Sequence, residues 1–288
     1  MSGRHMLIAA LLMIVPGMAA AQAVKDKPQV TLDAGTAYVM YRSAAGAPLE
    51  LVRDATPEDI ATYQAKRTKA FEKAHRKYLN ALNEWQGRAD LHRRNATFAD
   101  PGPQPVEPSE ANFAFPPIEL DLVIAMGPMD RFSKANGESV YLQAVPAGNY
   151  RVYGPIMFDS EAGTVGACMC MGTVQFRAEV GMITNLGTLR FPFLEAIKQA
   201  KSSGGVRPKT ALDLPDGKTS MMIEPAVAGA PVDSRVGDYP VKPATYRPAG
   251  KMPNWYGIEV DRLMAMPGVF SYDRDRIVDL TAAPVARQ

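Results

Sequence analysis

Apolar residues recur at every second position in two runs that frame the middle of the chain. Val140, Leu142 and Ala144 share one face of the first run, and Val174, Phe176 and Ala178 share one face of the second. Between them, Val145-Pro-Ala-Gly-Asn-Tyr-Arg-Val152 places turn-forming residues at Pro146 to Asn149. The pattern predicts a β-meander from Ser139 to Arg190, interrupted by Cys168-Met-Cys-Met-Gly172. Upstream, Val30 to Leu32 and Thr36 to Tyr41 read as opening strands, the second apolar on both faces and therefore covered on both. Leu49 to Arg53 reads as a strand pairing back in a hairpin, and Ile118 to Ile124 as another well-patterned strand.

The period changes at Thr56. Thr56-Pro-Glu-Asp59 offers a threonine N-cap, a proline at the first helical position and carboxylates beside the positive end of the helix dipole. Ile60, Tyr63, Phe71, Ala74, Tyr78, Leu82 and Trp85 then recur at helical spacing, with Arg67 taking one apolar position. A helix from Pro57 to Gln86 would be about 45 Å long at ~1.5 Å per residue, enough to overhang a sandwich. Gly87 should end or bend it, with a brief continuation over 90–95. Lys66, Lys69, Lys73, Arg76 and Lys77 fall off the apolar stripe and make the exposed face basic. That face is read either as a solvated surface or as a docking surface for a partner or a membrane. From Phe98 to Pro117 six prolines and weak periodicity predict an extended return loop.

Further on, Pro192 to Lys201 reads as a short helix stopped by Gly204-Gly205. Val206 to Gly257 is rich in proline, glycine and alanine, with one strand expected at Ser220 to Ile223. Asn254 to Val260 and Gly268 to Tyr272 are too apolar for a free tail, so the C-terminal part is expected to dock on the sandwich or add a small layer.

Composition adds compartment. Met1 to Ala23 has a basic start at Arg4, an apolar run from Met6 to Met18 and small residues from Ala19 to Ala23, the form of a secretory signal cleaved near Ala23. The expected layout is a signal peptide over 1–23, a β-sandwich domain over 24–203 with a helical insertion at 56–95, and a proline-rich linker and docking segment over 204–288. Localisation is then periplasmic or secreted, and no segment is long and apolar enough to span a membrane. With 32 basic against 30 acidic residues, the net charge of +2 gives no broad electrostatic case for nucleic acid.

The Val145 to Val152 turn, followed by Val174-Gln-Phe-Arg-Ala-Glu-Val-Gly181-Met-Ile-Thr-Asn-Leu-Gly187, resembles carboxypeptidase-regulatory-like, or transthyretin-like, β-sandwich modules, and a group of secreted proteobacterial proteins built on them. The resemblance implies a mainly β, transthyretin-like or immunoglobulin-like antiparallel sandwich. It also implies an adhesive or scaffolding role, and it supplies no catalytic residues. The long inserted helix and the Cys-x-Cys pair depart from the family pattern.

Candidate chemistry centres on Cys168 and Cys170, the only cysteines in the chain. A local disulfide, two reduced buried thiols and a soft-metal site are the three readings. At i and i+2 of a regular strand the Cα atoms stand nearly 7 Å apart, so a disulfide would need a bulge or turn. Two thiolates with methionine thioethers would suit monovalent copper, with Met126, Met129 and Met157 as candidate further ligands. Beyond the leader only His75 and His92 remain, both on or near the helix and a poor supply of general bases. Ser203-Gly-Gly205 lacks a nucleophile elbow, Glu119 and Asp121 suit a solvated strand face, and Asp273, Asp275 and Asp279 lack the glycine and final glutamate of a calcium loop. The expected function is non-catalytic binding or scaffolding in the cell envelope, with an envelope protein, a ligand or a second copy as partner. Copper binding is one alternative, and an envelope hydrolase or thiol-exchange enzyme the other.

Overall fold

The computed structural model describes residues 21–46, 48–159, 163–166, 173–206, 221–256, 263–274 and 276–282. In chain order these form β1 (Gln22–Ala23), β2 (Ala37–Ser43), β3 (Leu49–Arg53), α1 (Pro57–Arg94), β4 (Val123–Met126), β5 (Ser133–Ala135), β6 (Glu138–Val145), β7 (Gly148–Gly154), β8 (Ile156–Asp159) and β9 (Gly163–Gly166). There follow β10 (Val174–Ala178), β11 (Ile183–Arg190), α2 (Pro192–Ser203), β12 (Met222–Glu224), β13 (Val241–Pro243), β14 (Arg247–Pro248), β15 (Phe270–Asp273) and β16 (Arg276–Asp279). The protein is mainly β, with mixed and antiparallel sheets and two α-helices among the described residues.

A seven-stranded sheet runs in the order β1-β6-β2-β11-β12, with β5 also on β6 and β13 also on β11. A five-stranded sheet runs β14-β10-β7-β3-β4, and β8-β9 and β15-β16 are two-stranded ribbons. The first sheet is mixed, not antiparallel throughout: β11 pairs in parallel with both β2 and β13. β2 and β11 are distant in the chain, which leaves room for the crossover that a parallel pair requires.

This topology corrects the expected meander. β6 and β11 belong to the first sheet, whereas β7 and β10 pair with each other in the second. A two-residue hairpin between β6 and β7 would need a positive φ at its first turn residue, which the ring of Pro146 forbids, and the chain instead changes sheet there. The Tyr150 hydroxyl donates to the Pro146 carbonyl at 2.6 Å and pins the crossing. The expected β2–β3 hairpin fails likewise, since β3 lies in the second sheet. Val30 to Leu32 is irregular, and Ile118–Leu122 forms a 3-10 turn before β4.

The core of the first sheet joins Tyr38 and Met40 of β2, Val140 and Leu142 of β6 and Ile183 of β11 to Phe132 and Val236. On the other face of β2, Tyr41 stacks on Tyr141 with ring centroids 4.8 Å apart. A bulge in β11 between Asn185 and Thr188 lets the strand exchange β13 for β12 along one edge. Gly187 occupies it at φ 90°, and a Cβ there would lie 2.0 Å from the Glu224 carbonyl oxygen, so only glycine fits.

The C-terminal region contributes β12 and β13 to the first sheet and β14 to the second. Arg235 ties this region to the N-terminal segment. Its guanidinium donates to Asp26 at 2.7 Å, the Lys27 carbonyl at 2.8 Å, Asp233 at 2.8 Å and the Phe132 carbonyl at 3.1 Å, and lies 4.7 Å from the Phe132 ring centroid. Residues 50–124 form a second compact unit, the division falling inside β3 and inside β4.

Candidate functional site

The 50–124 unit is built on α1, a single helix of 38 residues, about 57 Å at ~1.5 Å per residue. It continues through Gly87 to Arg94, past the expected end. One isolated glycine costs a helix about 1 kcal/mol, which the flanking turns absorb. Its start is a reciprocal capping box. The Thr56 hydroxyl accepts from the Asp59 amide, and the Asp59 carboxylate accepts from the Thr56 amide at 2.8 Å. Arg53, buried in β3, completes the box with a 2.8 Å bond to Asp59. Burial pushes the Asp59 carboxyl up, but the hydrogen bonds from Arg53 and Thr56 outweigh it and hold the group at about 2.

No α1 residue is wholly buried, although the Asp59 side chain is nearly so. The half-buried ones, including Tyr63, Arg67, Phe71, Ala74, Tyr78, Leu82 and Trp85, lie on the predicted stripe, and the return segment covers that stripe. Descending the helix, the Tyr63 hydroxyl donates to the Pro116 carbonyl at 2.8 Å, Phe71 meets Phe113 edge-on at 5.2 Å, and His75 contacts Glu107 at 3.3 Å. The Trp85 indole then donates to the Gly102 carbonyl at 2.8 Å, and His92 Nδ1 lies 2.7 Å from the Phe98 carbonyl. Arg67, the break in the apolar stripe, reaches Glu110 and lies 5.8 Å from the centre of the Phe113 ring. Its hydrogen bond holds the Glu110 carboxyl below the ordinary glutamate value.

Prolines suit this segment because its extended backbone needs no ladder partner. This return segment, residues 98–117, straps the helix, and its residues belong to none of the motifs read from the sequence. Their signal is an aromatic pair, Phe113 and Phe115, with Glu107 and Glu110 placed to meet the helix cations.

The expected basic face is divided. Lys66 is paired with Asp121 at 2.9 Å, so the supposed strand-face carboxylate is a helix partner, and Arg76 approaches Glu72 at 4.0 Å. Lys69, Lys73 and Lys77 are exposed and make no ion pair among the described residues. Spaced four residues apart, they form a line of like charge about 12 Å long.

The other candidates are not brought together. Cys168 and Cys170 lie outside the described residues, as does Asp275. Met126 is buried, Met129 is 88% exposed, and Met157 lies on β8. The Ser203 hydroxyl donates to the Gln199 carbonyl, Asp273 pairs with Arg276, and Asp279 accepts from Thr281. Both helix histidines are engaged by the strap. Among the described residues no three His, Cys, Asp or Glu side chains cluster as a metal site, and no helix is long and apolar enough to cross a membrane. Comparison with protein-family models, with curated proteins and with solved structures gave no match to this chain.

Proposed function

We propose that this chain is a non-catalytic binding or scaffolding protein of the bacterial cell envelope, exported by a leader ending near Ala23, with a cut two residues earlier, after Ala21, retaining β1, and that it docks an acidic partner on the exposed lysines of α1. The line of Lys69, Lys73 and Lys77 carries the reading. Like charges four residues apart cost a helix a few tenths of a kcal/mol per pair, a cost that an acidic partner would reverse. The strap covers the apolar stripe, while Lys69, Lys73 and Lys77 stay exposed. For the fold, we propose a transthyretin-like or immunoglobulin-like sandwich. The Tyr150 to Pro146 bond at the sheet crossing supports this, since a tyrosine bonded back to upstream backbone marks the corners of such sandwiches.

Carbodiimide joins lysine amines directly to carboxylates in contact with them. Treating the envelope fraction of expressing cells should give an adduct whose crosslinks map to Lys69, Lys73 or Lys77, and it should vanish in high salt and in the K69E/K73E/K77E variant. The adduct's mass distinguishes a second copy from another protein. Crosslinks confined to other lysines, or an adduct unchanged in the triple variant, would refute the docking face.

A further inference from the structure

We propose that the outer face of β7, β10 and β14 carries an oxyanion-binding site, with Arg177 and Arg247 as its ligands for a phosphate or carboxylate group. The strand register assembles it. Gln175 of β10 stands opposite Arg151 of β7 and Arg247 of β14, and Arg177 stands opposite Asn149. Tyr150, Phe176 and Tyr246 alternate with these residues and are buried, so the polar set shares the outward face. Three arginines from three strands thus surround one glutamine. A cleft of about 370 Å³ opens there, lined by Asn149, Gln175, Arg177, Thr245 and Arg247, with Glu179 on its wall.

The cleft's carboxylate, Glu179, feels Arg177 but is hydrogen-bonded to Lys242, so two arginines and one engaged glutamate leave the cleft positive. Lys242 engages Glu179 at 2.6 Å, and Arg151 spends one nitrogen on the Gly250 carbonyl at 3.0 Å. Asp279, which senses Arg247, has its Oδ1 engaged by the Thr281 amide at 2.7 Å and the Thr281 hydroxyl at 2.6 Å. Neither Arg177 nor Arg247 makes an ion pair among the described residues. Diagonal neighbours on adjacent strands are about 7–8 Å apart, close enough for two guanidinium groups to repel and for one anion to bridge them. The planar fork of arginine matches the paired oxygens of phosphate and carboxylate. Asn149, Gln175 and Thr245 add neutral polar groups, and the sheet holds the set rigid.

The test titrates the full mature chain with inorganic phosphate, with acetate and with chloride at matched ionic strength, following backbone amide shifts. Saturable shifts at Gln175, Arg177 and Arg247 with phosphate or acetate, absent with chloride, are expected, and the anion that saturates first identifies the group. R177Q and R247Q should each weaken binding at least tenfold while leaving the remaining spectrum and the melting temperature unchanged. K69E/K73E/K77E should bind the anion normally, separating this site from the α1 face. If R177Q unfolds, T245A, on the exposed rim, supplies the second variant and should weaken binding severalfold. The proposal fails if chloride reproduces the shifts, if neither oxyanion saturates, or if binding survives loss of both arginines.

Discussion

Replacing Asp59 by asparagine keeps the shape of the α1 cap and removes its charge, which isolates what the buried pair contributes. The two side chains are only 6% and 8% exposed, so solvent screens their 2.8 Å contact weakly. The folded carboxyl titrates at about 2 against 3.8 for the free group. That difference of nearly two units corresponds to about 2.5 kcal/mol at neutral pH. Loss of the charge also leaves Arg53 buried without its partner, which raises the expected cost of D59N to about 3–5 kcal/mol. The sign is fixed by the direction of the shift. A carboxylate depressed in the folded state contributes fully above pH 4, and the contribution disappears as pH falls through about 2.

Urea denaturation monitored by helix circular dichroism, for wild type and D59N at pH 7 and near pH 2, measures both quantities. The expected result is a large gap at pH 7 that nearly closes at the acid end. A variant within about 0.5 kcal/mol of wild type at pH 7, or a gap independent of pH, would refute the assignment of this pair as the anchor of α1.

Three further substitutions probe other levels. G187A forces a Cβ into the Glu224 carbonyl at a left-handed position and should cost more than about 2 kcal/mol, with amide exchange accelerating in β12; an unchanged melting temperature would contradict the bulge. G87A meets nothing within 4 Å and should stabilise α1 by about 0.8–1 kcal/mol, read as slower exchange of its amides, whereas faster exchange would show that the helix does not run through Gly87. R235A removes a charged fork serving Asp233, Asp26 and two carbonyls and should cost about 2–3 kcal/mol in urea melts; R235K should recover part of it, and a neutral R235A would show that the C-terminal segment is held by other contacts.

The sequence alone determined the best-patterned local elements, whereas Ile118–Leu122, which reads as strand, is a 3-10 turn. Thr56 to Asp59 announced the helix start because capping is chemistry among neighbours, and the alternation in 138–145 and 174–178 announced strands because side-chain period is a backbone property. Gly204 marked the end of α2 for the same reason. Partners were decided only in three dimensions. Which sheet a strand joins depends on residues far away in the chain, so β6 and β7, adjacent and patterned alike, separate at Pro146, and β11 lies parallel to β2. The apolar stripe of α1 was legible, but its cover was not, since a proline-rich segment carries no period of its own. Arg151, Arg177 and Arg247 are scattered in sequence and converge only because strand register places them on one face. Local chemistry fixes which element forms, and long-range register fixes which side chains meet.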